Sequence, residues 1–167
     1  IWSKIVIGNK EVPIAKLIEA LDNSDWVNKG RTYIGKNGIC PFCQQKTITA
    51  SFEEQLNSFF KGEYDDDMHH ISSLVEKYKV ISEKLVSILA NAVSNDTVVS
   101  IGNLDISKYN TLLENLKVFF DSTLIEMASK EKEASKKLEI TESQTKIKNL
   151  LNLIAAANEN IINHNKM

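Results

Sequence analysis

The chain has 167 residues, 43% of them apolar and 25% charged, with a formal net charge of −2. A charge so near neutral excludes the broad basic field that gathers nucleic acid, and no apolar run reaches the about 18 residues that a bilayer-crossing helix needs. Only two prolines and six glycines punctuate the sequence, which predicts a mostly helical chain with few turns. It opens on Ile1 without a secretory leader pattern, and an apolar helical pattern runs almost to Met167. The expectation is therefore a piece of a larger cytoplasmic protein, long enough for one or two domains.

In chain order, residues 1–50 are the irregular part. Ile5, Val6 and Ile7 read as a short strand or a helix end, and Gly8-Asn9 as a turn. Pro13 starts a helix with Ile14, Leu17, Ile18 and Leu21 on one face. Asn23-Ser24-Asp25 offers a cap for a short turn carrying Trp26 and Val27, which Gly30 ends. Trp2 and Trp26 are expected as core anchors of this small head. From Gly35 to Cys43 the chain has no helical period.

Residues 51–167 read differently. Ser51-Phe52-Glu53-Glu54 has the form of a capping box, and the helix it opens is expected to run to about residue 94. Such a helix would be roughly 65 Å long, with Gly62 as its weak point at about 1 kcal/mol relative to Ala. Ile71, Leu74, Tyr78, Ile81, Leu85, Ile88 and Ala92 follow in steps of three and four, a heptad seam. Ser94-Asn95-Asp96 and Ile101-Gly102-Asn103 mark turns. A second helix is expected from about Ser107 to Leu138, with Tyr109, Leu112, Leu116, Phe119 or Phe120, Leu124 and Met127 inward. Thr141-Glu142-Ser143-Gln144, another capping box, restarts a third on Ile147, Leu150, Ile154, Ala157 and Ile161. The fold class expected is all-α: a small helical head (1–50), then a long antiparallel coiled-coil hairpin with a broken return limb (51–167).

Chemistry concentrates at Cys40-Pro41-Phe42-Cys43, the only two cysteines in the chain. Zinc favours thiolates in a tetrahedral array, and two thiols separated by a proline-stiffened pair of residues can grip one side of it. Cys40 and Cys43 are half of the usual four ligands. A second copy of the knuckle, or another segment of the parent protein, would supply the rest. Two other readings stand beside this one: a thiol redox pair, and quiet thiols in a helical protein-interaction module. Against the redox reading, residues 35–39 do not form the buried strand, and no βαβ pattern surrounds them, as a glutaredoxin-like site requires.

Three further patterns resolve to structure. Gly30 to Asn37 matches seven of eight positions of a phosphate-binding loop, but Asn37 replaces the magnesium-holding Ser or Thr, and Gly38 and Pro41 prevent the helix that should follow. Asp66 and His70 lie one helical turn apart in an acidic run, a solvated face rather than a metal site. The alternating charges from Lys130 to Lys137 likewise read as an exposed helix surface.

The run Ser24-Asp25-Trp26-Val27-Asn28-Lys29-Gly30, then Tyr33-Ile34, then Cys40-Pro41-Phe42-Cys43-Gln44-Gln45, carries a resemblance. Phe59-Phe60, Tyr64 and Asn163-His164-Asn165 extend it over nearly the whole chain. It resembles the insertion in bacterial AAA/ABC-type P-loop ATPases related to the PrrC and RloC anticodon nucleases. The resemblance implies a structural, dimerising insertion without catalysis, in which Cys40 and Cys43 act as a zinc-hook-like pair. In zinc-hook repair ATPases the C-P-x-C tip lies between the two helices of the hairpin; here the head comes first and the hairpin follows. ATP, magnesium and any action on RNA or DNA are implied only for the parent, with a second copy or the rest of the ATPase as partner. No membrane contact and no direct nucleic-acid binding are expected of this chain.

Overall fold

Few breakers and long apolar periods dictate helices, and the computed structural model, which describes residues 1–35 and 37–166, is all-α. Among the described residues there is no strand, and the helices are α1 (Ala15–Leu21), α2 (Ser24–Arg31), α3 (Ala50–Phe59), α4 (Glu63–Asn91), α5 (Asp96–Gly102), α6 (Ile106–Lys132) and α7 (Gln144–His164). No single described helix is long and apolar enough to cross a membrane. Two units emerge: Ile1–Leu74 with Met127–Glu139, and Val75–Glu126 with Ile140–Met167.

In the first unit the expected continuous helix after residue 51 is two helices. Gly62 has φ +76°, a left-handed conformation open to glycine and costly to other residues, and α3 ends three residues before it. The cap is also displaced: Thr49, not Ser51, accepts from the Phe52 amide at 3.2 Å. Phe59, Phe60 and Tyr64 stack edge to face in succession across this break, with centroids 4.7 and 5.0 Å apart. The Ile5–Ile7 stretch is not a strand. Its Val6 N–H donates to the Ala134 carbonyl at 3.1 Å, and ahead of it the Trp2 carbonyl accepts from the Leu138 N–H at 2.9 Å. Gly8 is buried directly on the Phe59 ring, where any β-carbon would overlap it.

In the second unit, the Val75–Asn91 part of α4 and the Ile106–Glu126 part of α6 pair antiparallel. The Tyr109 hydroxyl donates to the Leu89 carbonyl at 2.8 Å at one end, and Tyr78 meets Phe120 edge to face at the other. Leu116, Phe120 and Leu150 complete the buried cluster. The expected inward residues of α6 and α7 are buried or half-buried as the period requires. The seam of α4 is different. Leu74 is half-buried, as is Val75 beside it, but Ser82 and Leu89 take the positions expected of Ile81 and Ile88, which are 65% and 56% exposed. The turn expected at residues 94–103 contains a short helix, α5, capped by Asn95 on the Val98 amide and ended by left-handed Asn103. Gly102 lets α5 approach α7: its absent β-carbon would lie 3.1 Å from that of Ala157, and Asn160 donates to its carbonyl. The return limb breaks at Lys132, earlier than the expected Leu138, and α7 starts at Gln144 without a side-chain cap from Ser143.

Candidate functional site: the cysteine turn and the surface beside it

Glycine and a left-handed residue build the turn that carries the cysteines. Gly38, at φ +71°, lets the Ile48 amide reach its carbonyl at 3.0 Å, so the loop closes on itself at its base. Within it, the Cys40 amide donates to the Gln45 carbonyl at 2.8 Å, and the Gln44 amide returns to the Cys40 carbonyl at 3.0 Å. Gln44 pays for this with φ +58° and anchors its side chain on the Pro41 carbonyl at 2.8 Å. The turn thereby aims the backbone N–H groups of Cys43 and Phe42 at the Cys40 sulfur. These two bonds are the largest cause of a Cys40 pKa below the ordinary thiol value, with smaller help from the Cys43 and Thr47 side chains. Thr47 Oγ1 also lies 3.9 Å from the Cys43 sulfur.

Cys40 and Cys43, the expected metal ligands, are thus brought together, with both thiols free. A Cys40 pKa below the ordinary thiol value and the partial exposure of the pair suit a soft cation, and two thiols at this spacing fit half of a tetrahedral zinc set. Among the described residues no group of three or more His, Cys, Asp or Glu side chains is placed to hold a metal ion. Asp66 and His70 are exposed on α4. Of the phosphate-loop-like run, Gly30 and Arg31 form the last turn of α2, and Lys36 lies outside the described residues.

The other signature residues meet behind this turn. Asn28 donates to the Tyr64 hydroxyl at 2.8 Å, and Arg31 donates to Asn28 Oδ1 while stacking over Phe60 at 4.3 Å. Asp25 accepts from the Ser135 hydroxyl at 2.6 Å and from its amide at 3.3 Å. The signature is therefore largely the packing of α2 against the segment at residues 59–64 and the chain after α6. Burial first, and the negative charge of Asp25 second, push the Tyr64 pKa up to about 12. A phenol with a raised pKa in the fold contributes stability that is whole below its ordinary value near 10 and is lost as pH rises towards about 12. The stability difference between the wild type and Tyr64→Phe should therefore shrink over that interval, read by chemical denaturation at stepped pH. A constant difference would contradict the placement of Tyr64.

Trp26, expected in the core, is 59% exposed instead. It stacks on Phe42 of the cysteine turn, centroids 5.5 Å apart and planes 24° apart. The two rings edge a groove that helical periodicity could not reveal, because periodicity gives a shared face without saying whether anything covers it. Leu17 and Leu21 of α1, expected inward, form its opposite wall.

No curated protein and no solved structure matches the chain. The AAA domain family, AAA_13, matches residues 1–167. With that match running its full length, the chain belongs to the AAA domain family.

Proposed function

We propose that this chain is a structural, dimerising insertion of a cytoplasmic AAA-type P-loop ATPase related to the anticodon nucleases, and that Cys40 and Cys43 hold half of a zinc site completed from outside the chain. The observation that carries the reading is the cysteine turn itself, in which two backbone N–H groups favour the thiolate of Cys40 beside a second, exposed thiol. Zinc bound there would act structurally, linking chains rather than activating a substrate. ATP, magnesium and action on RNA or DNA belong to the parent enzyme in this reading. A redox pair is less favoured, because no strand leads into the cysteines and no helix starts at them, the next one, α3, beginning at Ala50.

Elemental analysis of protein purified without chelator, combined with light scattering, tests the proposal. The wild type should carry about half a zinc ion per chain as a dimer, and Cys40→Ser/Cys43→Ser should be metal-free and monomeric. Metal-free protein with equal association in both forms would overturn it.

A further inference from the structure

The groove beside the thiols encloses about 270 Å³ among α1, α2, α3 and the cysteine turn. Ile18 and Leu56 are buried in its lining, while Leu17, Leu21 and Phe42 stand 58%, 60% and 69% exposed around it. Single exposed apolar side chains are ordinary. Here Leu17, Leu21, Trp26, Phe42 and Phe52 all border one groove, and exposed apolar side chains gathered in this way mark an interaction surface.

We infer that this groove is a self-complementary docking surface for a second copy of the chain, which seats its own Phe42 there when two cysteine turns share one metal ion. The inference rests on the shared-site reading above and deepens it. A second copy is singled out by the ligand count and by position. The thiols need one more matching pair, and Cys40, Pro41 and Phe42 of the same turn line the groove. A two-fold axis through the ion supplies that pair and brings each copy's Phe42 up to the other's groove. Trp26, stacked on Phe42, holds the ring in place and lowers the ordering cost of docking.

The test is zinc-titrated sedimentation of the whole chain as wild type, Leu17→Asp/Leu21→Asp and Cys40→Ser/Cys43→Ser, with helicity checked by circular dichroism. Leu17 and Leu21 are both more than half exposed and neither is a thiol ligand, so their replacement should leave helicity intact. The expected result is a zinc-dependent wild-type dimer, a leucine variant whose dimerisation is at least tenfold weaker, and a cysteine variant that takes no zinc. A leucine variant that dimerises on zinc with wild-type affinity would overturn the groove while leaving the shared ion standing. A dimer that needs no zinc but is lost in the leucine variant would support the groove and overturn the shared ion. A wild type that stays monomeric at every zinc concentration would overturn both.

Discussion

Lys130→Met is expected to destabilise the first unit by about 2–4 kcal/mol, from the roughly 1–3 kcal/mol that each carbonyl left without its donor costs. Lys130 is fully buried near the C-terminal end of α6. Its ammonium donates to the carbonyls of Lys4 at 2.7 Å, of Ala134 at 3.2 Å, and of Lys136. One side chain therefore ties the N-terminal segment to the chain that leaves α6, and it sits where the helix dipole favours a cation. Burial is the main cause that pulls its pKa below the ordinary lysine value, and the charges of Asp25 and Asp67 oppose that pull. Asp67 is itself paired with the Lys4 ammonium. Methionine keeps most of the apolar stem but donates nothing. The Ala134 carbonyl retains the Val6 amide, whereas those of Lys4 and Lys136 lose the lysine's bond at part-buried positions. At about 2–4 °C per kcal/mol for a chain of this size, the melting temperature should fall by roughly 10 °C. Lys132→Met, at an exposed position two residues on, should change stability by less than about 0.5 kcal/mol. Equal melting of the two variants would remove Lys130 from this role.

The sequence pattern exposes most of this architecture, and what it hides has physical causes. The faces of α6 and α7 are legible because each has one apolar stripe with a single choice of register. Cys40 and Cys43 are legible as a pair because nothing in a helical chain calls for two cysteines around a proline. Lys130 was hidden by its neighbours: among alternating charges it reads as solvated, although it lies three residues on from Met127, the next inward position of α6. In the sequence Gly62 reads as a weak point within one helix, and only the positive φ shows that the chain turns there. Trp26 and Leu21 read as core in the sequence because apolar periodicity identifies a face and not its occupant, and in this chain that face is open and lies beside the thiols.

The register of α4 supplies the second large effect. Ile71, Tyr78 and Leu85 belong to either of two seams, one continuing through Ile81 and Ile88, the other through Val75, Ser82 and Leu89. Side-chain hydrophobicity alone favours the first, since it holds isoleucine where the second holds serine. The structure takes the second. Leu89 lies under Tyr109, whose hydroxyl is satisfied by the Leu89 carbonyl, and Ser82 satisfies its own hydroxyl on the Lys79 carbonyl at 2.9 Å, so a polar residue in the seam leaves no orphaned donor. Leu89→Asp puts a carboxylate into the cluster of Tyr109, Leu116, Phe120 and Leu150 and should cost more than about 4 kcal/mol, enough to unfold the second unit at ordinary temperatures. Ile88→Asp, one residue away on an open face, should cost less than about 1 kcal/mol and keep the helicity of the wild type. Circular dichroism melts of the two variants decide the register directly. If Ile88→Asp unfolds the chain and Leu89→Asp leaves it intact, the seam runs through the isoleucines and the packing of Tyr109 over Leu89 is wrong.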